Sequence, residues 1–325
     1  MITIAADALG FSFWKCGKLT LEGFKRLGYQ YVYLVNAHTA QIPKPHRSIL
    51  VGDTILAIKW GWHKKHITDK PIFWTDTPLM LDEIKPFIDE VNDNWCIVAL
   101  TPYFEKLYRQ MGFRVTAVIP RPIDVYTAEK VMNIESKWRE KFGRYVVTIG
   151  GDQIIAPPKK PRKGLDMFDM IAEHLKFKYD INAVAVSNWF YFKNVHRIPM
   201  GSLSEEELLT LIRDAELFIW CSRNEGFGVP PLEAMAVGQL VVSSNAPFND
   251  HIVGIKFDYQ VEEIVYMPEI GRYYLAYDYD FRQLREAVDY ALSLSEQEKE
   301  KIKEKAREAA MYYRPDIIAQ LLIEV

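Results

Sequence analysis

Short apolar runs rich in β-branched residues alternate along this chain with longer segments in which apolar side chains recur at helical spacing. The runs "ITIAA", "YQYVYLV", "WCIVALT" and "VTAVI" predict strands, with helices over residues 17–27 and over "PYFEKLYRQMG" between them. A break follows. "VIPRPID", residues 118–124, carries two prolines, and a charged helical segment is expected from Ala128 to Phe142. "YVVTIGG" then opens a second series: a helix over 164–177, the strand "INAVAV", a helix from Ser204 to Asp214, the strand "ELFIWC", a short helix over 230–237 and the strand "LVVSS". Residues 280–325 read as helical, with Pro315 dividing a long amphipathic helix from a final apolar one, "DIIAQLLIEV".

Strands alternating with helices imply βαβ units and parallel sheets. Two such series joined near residues 125–140 predict an α/β chain of two Rossmann-like domains, 1–125 and 140–307, facing one cleft. The length of 325 residues agrees, since one core grows with difficulty to that size. With 40 Lys and Arg against 43 Asp and Glu, the net charge is −3 and lacks the basic excess a nucleic-acid binder needs. No apolar run approaches the ~20 residues of a membrane span, and the N-terminus lacks the marks of a signal peptide, so a cytoplasmic protein is expected. Cys16, Cys96 and Cys221 are too scattered for a disulfide framework or a zinc site and are expected as buried thiols.

The chemistry concentrates in "EGFGVPPLEAMAVG", residues 225–238. Gly226 and Gly228 suit a tight turn, Pro230 and Pro231 suit the start of a helix, and Gly238 suits its end. A helix N-terminus at this turn favours phosphate or sugar oxygens. Glu233 then lies one turn into the helix, and Glu225 lies in the loop before it. An ionised carboxylate accepts from two neighbouring hydroxyls, so Glu233 suits a ribose and Glu225 a second polyol. The competing reading makes Glu225 a helix-start residue and Glu233 a solvated one.

"SRNEGFGVPPLEAMAVGQLVVSS" resembles the signature of retaining glycosyltransferases of family 4, which have the GT-B architecture of two Rossmann-like domains. "PRKGLDMFDMIAEHL" resembles the family's Lys-Gly segment, "MGSLSEEELLTLIRDAELFIWCS" the stretch leading into the signature, and "VIPRPID" the exit from the N-terminal domain. The terminal helices resemble the tail that crosses back, which assigns about 308–325 to the first domain. The similarity covers most of residues 95–325, and the first ninety match only in overall pattern.

The resemblance implies a retaining, metal-independent transfer from a nucleotide-diphospho-sugar, such as a UDP- or GDP-sugar, with no cofactor. It implies that Glu233 holds the ribose, that Glu225 holds hydroxyls of the transferred sugar, and that Gly226, Phe227, Gly228 and Val229 contact sugar and phosphate. Lys163, of the Lys-Gly pair, grips the diphosphate. Three departures stand out. Beside Gly150 the family usually carries a diphosphate-binding arginine, but here the residue is Gly151, with Arg162, Lys160 or Lys159 as candidate replacements. In "PIFWTDTPLML" Asp76 and Thr77 stand where many members have a histidine near the donor sugar; Asp76 either takes that catalytic position or caps the turn before Pro78. The first strand-to-helix turn lacks the paired glycines, with Gly10 and Gly17 as candidates for a looser loop, and His251 has no assigned role.

Weaker signals remain. "KWGWHKKH" holds His63 and His66 at metal-like spacing without acidic or Cys partners and reads as a basic turn; its Trp60, Trp62, Lys64 and Lys65 also suit an acceptor or peripheral contact with an anionic membrane face. The Asp-x-Asp pair in "YDYDF" reads as a helix start, with Asp280 as N-cap, against the alternative of a metal site. Three functional classes follow: a glycosyltransferase acting on an unidentified glycan, lipid or protein acceptor; an epimerase or phosphorylase on the same fold; and a catalytically impaired relative that binds a nucleotide sugar or a partner.

Overall fold

The computed structural model describes residues 1–8, 11–38, 47–53, 57, 61, 71–76, 85–151, 154–155, 160–188, 191–267 and 272–325. The chain divides into two compact units, Met1–Asp124 with Tyr312–Val325, and Val125–Met311.

In the first unit the elements run β1 (Ile2–Ala6), α1 (Phe11–Arg26), β2 (Val32–Asn36), β3 (Arg47–Asp53), β4 (Ile72–Asp76), α2 (Ile88–Asn94), β5 (Cys96–Ala99), α3 (Pro102–Gln110) and β6 (Val115–Val118). Among the described residues the strands form one parallel sheet ordered β2-β1-β3-β4-β5-β6. All five residues of β1 are buried, as expected of a strand in a parallel sheet covered on both faces. α3 starts where Thr101 Oγ1 accepts from the Phe104 N–H and Pro102 follows at the first helical position. Gly17 is not in a loop, as the sequence suggested. It lies inside α1, where an added Cβ would come within 2.7 Å of Leu34 and 2.9 Å of Ala6, so the glycine lets the helix press on the sheet.

The second unit begins with α4 (Val125–Val131) and α5 (Trp138–Phe142). The single helix expected over 128–142 is therefore two, because Arg213 donates to the carbonyls of Val131 and Ile134 and ends the first. There follow β7 (Tyr145–Gly150), β8 (Ile154–Ile155), β9 (Lys160–Pro161), α6 (Leu165–Tyr179), β10 (Asn182–Ser187), β11 (His196–Ile198), α7 (Glu205–Asp214), β12 (Phe218–Trp220), α8 (Val229–Ala236), β13 (Val241–Ser244) and β14 (Ile255–Phe257). The second parallel sheet is ordered β11-β10-β7-β12-β13-β14 among the described residues. Its core packs Phe168, Ile171 and Leu175 of α6 against Val146, Ile219 and Val242 of the strands.

An antiparallel hairpin, β15 (Val261–Met267) and β16 (Arg272–Asp278), leads into α9 (Phe281–Ser293), whose core side is Leu284 and Val288. Asp280 caps that helix by accepting from the Arg282 N–H at 2.7 Å, as the sequence predicts. The long helix expected up to Pro315 is broken at Leu294–Ser295. Ser295 Oγ accepts from the Glu298 N–H, the Glu298 carboxylate accepts from the Ser295 N–H, and α10 (Glu296–Met311) starts there. The chain then returns to the first unit as α11 (Pro315–Glu324), which packs on α1 through Ile318, Ala319 and Leu322, all fully buried. Cys16 and Cys221 are buried thiols, whereas Cys96 is only half-buried. Among the described residues no helix is long and apolar enough to cross a membrane.

Candidate functional site

In the second sheet β7 comes first in the chain, and its two neighbours, β10 and β12, lie on opposite sides of it. The connections leaving β7 and leaving β12 therefore diverge, which opens a crevice at the carboxyl ends of these strands. Gly150 ends β7, the segment Ser222–Gly228 leaves β12, and the turn Arg162–Gly164 enters α6. Gly150, Arg162, Lys163, Asn224 and Glu225 meet there.

Close backbone approach explains the glycines. An added Cβ on Gly150 would lie 2.9 Å from Lys163 Cβ, so the strand end can carry the lysine only as glycine. Gly164, at φ 65°, is the residue before α6, and an added Cβ would overlap the Cys221 carbonyl oxygen, itself the acceptor for Tyr279 Oη. Gly228, at φ 79°, plays the equivalent part before α8, while Gly226 lies outside the left-handed region. No side chain caps either helix. Pro230 and Pro231 occupy the second and third positions of α8 and supply no N–H, so the helix start offers fewer backbone donors than expected, chiefly that of Val229. Among the described residues an added Cβ at Gly151 would meet nothing within 4 Å.

The charged side chains are tightly organised. Lys163 Nζ donates to both carboxylate oxygens of Glu225 at 2.6 Å and lies 5.4 Å from the centroid of the Trp220 ring. Glu225 and Glu233 are each only 5% exposed, which removes the reading of Glu233 as a solvated helical residue. Arg162 Nη1 reaches Asn224 Oδ1 at 3.4 Å, and its Nε is buried without a hydrogen-bond partner among the described residues. Lys160 is paired with Asp278, and Lys159 lies outside the described residues. Asp76 ends β4 in the first unit; its side chain, Thr77 and Pro78 lie outside the described residues, as do Gly10 and the "WHKKH" turn.

Three features escaped the sequence reading. Arg223, 1% exposed, sends Nη1 and Nη2 to Asp166 at 2.8 and 2.9 Å and Nε to Asp278 at 3.0 Å, so the Asp-x-Asp pair is split between an arginine partner and a helix cap. A charge two residues before Glu225, directly after the apolar strand "LFIWCS", was the signal available. His251 stacks on Phe227, with ring centroids 4.8 Å apart and planes 5° from parallel. Its ring nitrogens are shut from solvent although part of the residue reaches the surface, and burial, with Lys256 nearby, holds its pKa down to about 4. Burial likewise lowers Lys256 to about 8, with Asp250 opposing. In the first unit His38 and Asp7 meet at 2.9 Å beyond the carboxyl ends of β2 and β1.

Comparison with known proteins places these features in a family context. Residues 191–309, which include the Glu225–Glu233 stretch, match the model of the family described as glycosyl transferases group 1. A relative from Sulfolobus islandicus filamentous virus, provisionally named glycosyltransferase 41, is 27% identical over 210 residues, 64% of this chain. The aligned region spans 57% of that relative's length. The serotype-specific mannosyltransferase WbdA of Escherichia coli is 24% identical over 141 residues, 40% of this chain and 17% of its own. Among solved structures, Anabaena HepE, crystallised with UDP and glucose, superposes with a TM-score of 0.66 at 14% identity, covering 99% of this chain and 98% of its own. A Rickettsia africae glycosyltransferase gives 0.68 at 14% identity, covering 99% and 96%. These likenesses and the two parallel sheets establish the GT-B fold, and the family match supports a group 1 glycosyltransferase.

Proposed function

We propose that this protein is a retaining, metal-independent glycosyltransferase that moves a hexose from a nucleotide-diphospho-sugar to a hydroxyl of a glycan, lipid or protein. The observation that carries the reading is the gathering of Arg162, Lys163, Asn224 and Glu225 around the carboxyl ends of β7 and β12, with Glu233 buried in the helix that follows. In this reading Glu233 accepts from the ribose hydroxyls, and Lys163 and Arg162 bind the diphosphate. Arg162, in the turn beside Lys163, serves in place of the family's arginine. Glu225, with the backbone of Gly226, Phe227, Gly228 and Val229, holds the sugar. Gly150 and Gly151 leave room for the phosphates, and Asp76 takes the histidine's place in the first unit.

The chemistry follows from charge. As the glycosidic bond breaks, negative charge grows on the diphosphate, and fixed cations in an enclosed site stabilise that charge more than they stabilise the intact donor. Without donor the Lys163 cation is neutralised by Glu225. Donor binding therefore exchanges one set of charge-assisted hydrogen bonds for two: Lys163 to phosphate, and sugar hydroxyls to Glu225. The proposal is supported by the bound UDP and glucose of HepE, a protein of the same fold.

The test is calorimetric titration of UDP, GDP and ADP in EDTA. One nucleotide binds the wild type, and Glu233→Ala weakens it by about 1.5–3 kcal/mol, roughly tenfold to a hundredfold, as expected for losing hydrogen bonds to a charged acceptor. Equal affinity in the two proteins would sink the assignment of Glu233, and binding that needs a divalent cation would sink metal independence. Binding of a nucleotide sugar without turnover in the presence of any alcohol would favour the non-catalytic relative.

A further inference from the structure

Lys163 occupies a three-residue turn between a minimal strand, β9, and the start of α6, so its position needs support from outside the turn. That support comes largely from one side chain. Arg223 Nη1 donates to the Pro161 carbonyl at 2.8 Å and to Asp166 Oδ1 at 2.8 Å, and Nη2 donates to Asp166 Oδ2 at 2.9 Å. Its own backbone N–H donates to the Arg162 carbonyl at 2.9 Å. The lysine is therefore bracketed on both sides, at Pro161 and Arg162 before it and at Asp166 after it. Nε donates to Asp278, which also takes Lys160, and the Arg223 carbonyl accepts from the Tyr277 N–H at 2.8 Å. Arg223 is two residues from Glu225, so the same residue anchors both partners of the Lys163–Glu225 pair. At 1% exposure it cannot reach a ligand itself.

We propose that Arg223 is a positioning residue that sets the Lys163 ammonium at the place where the diphosphate binds, an inference that rests on the function proposed above. A planar fork with five donors can span the Pro161 carbonyl, Asp166 and Asp278 together, whereas an ammonium on a flexible stem cannot. Arg223→Lys keeps the charge and loses the bracket, so Lys163 shifts. Glu233, on another helix, keeps its place.

The experiment reads the ratio of affinities for a nucleoside diphosphate and the matching monophosphate by calorimetry, using UDP with UMP, GDP with GMP and ADP with AMP. The proteins are wild type, Lys163→Met, Arg223→Lys and the double variant, each checked for folding by its melting transition. The preference for diphosphate falls about tenfold in either single variant, and the double variant is no worse than Lys163→Met alone, the non-additivity expected when one residue acts through another. A structural role without positioning would weaken both nucleotides equally, and additive losses would also overturn the inference. If Arg223→Lys does not fold, Asp166→Asn, which withdraws the partner downstream of Lys163, replaces it in the cycle with the same reading. Failure of the wild type to bind any of the six nucleotides overturns the proposed function; binding with an unchanged ratio in the Arg223 or Asp166 variant overturns this inference alone.

Discussion

Lys163 and Glu225 show how burial changes what a side chain can do. Their side chains are 14% and 6% exposed, so neither charge is well hydrated, and each depends on the other until a ligand arrives. Removing one partner of such a pair costs about 3–5 kcal/mol because the remaining charge is stranded. A third residue, His251, carries a measurable signature. Its pKa is held at about 4 by burial, below the ordinary 6.5, so the folded state prefers the neutral ring. This contribution to stability is fully present above pH 6.5 and is lost as the pH falls toward 4, because the unfolded chain takes the proton first. The shift corresponds to about 3 kcal/mol. His251→Phe, which keeps the stack on Phe227, therefore loses less stability than wild type between neutral pH and pH near 4, measured by urea unfolding. Parallel losses in the two proteins would show that His251 is not the group responsible.

Elements are placed here by small residues and by caps that periodicity does not report. Gly23 lies where α1 meets α11, and an added Cβ would overlap the Pro315 carbonyl and approach Ala319 Cβ at 3.1 Å. On an exposed helix Gly→Ala stabilises by about 1 kcal/mol. At this contact the overlap is with backbone, which cannot rotate away, and overpacking costs about 1–3 kcal/mol, so the net effect of Gly23→Ala is destabilising. A thermal melt checks the sign, and a raised midpoint would contradict the close contact. The same limit explains the corrected helices. The breaks after Val131 and at Ser295 depend on Arg213, distant in sequence, and on a local Ser295–Glu298 cap embedded in a polar run. Strand β3 escaped notice because only Ile49, Leu50 and Val51 are consecutively apolar, and the hairpin β15–β16 because its antiparallel pairing departs from the alternating pattern around it.

At the scale of the molecule, each unit has its own parallel sheet and buried core, and the second is continuous in sequence while the first needs the last fourteen residues, Tyr312–Val325. Ile318 and Leu322 are fully buried against the first unit, each contributing about 1.5–3 kcal/mol. Deleting Tyr312–Val325 is expected to lower the denaturant midpoint of the first unit while nucleotide binding, a property proposed for the second, stays close to wild type. Two probes serve: Trp74 or Trp95 fluorescence for the first unit and calorimetry for the second. Loss of both together would show that the units do not behave as separate cooperative bodies.

The alternation of apolar runs and helical periods determined the two-unit α/β architecture, because parallel strands buried on both faces leave a strong local mark. The turn "EGFGVPPLEAMAVG" likewise marked a candidate site, since glycines, prolines and carboxylates at that spacing have few other uses. Tertiary structure decided the rest. Only the strand order brings Gly150, Lys163 and Glu225 to one crevice, and only three-dimensional packing reveals that Arg223, an apparently ordinary charge in the signature, is buried between Asp166 and Asp278. Backbone preferences and hydrophobic periodicity act over a few neighbouring residues, whereas the partner of a buried charge is chosen by the whole fold, more than fifty positions away in the chain.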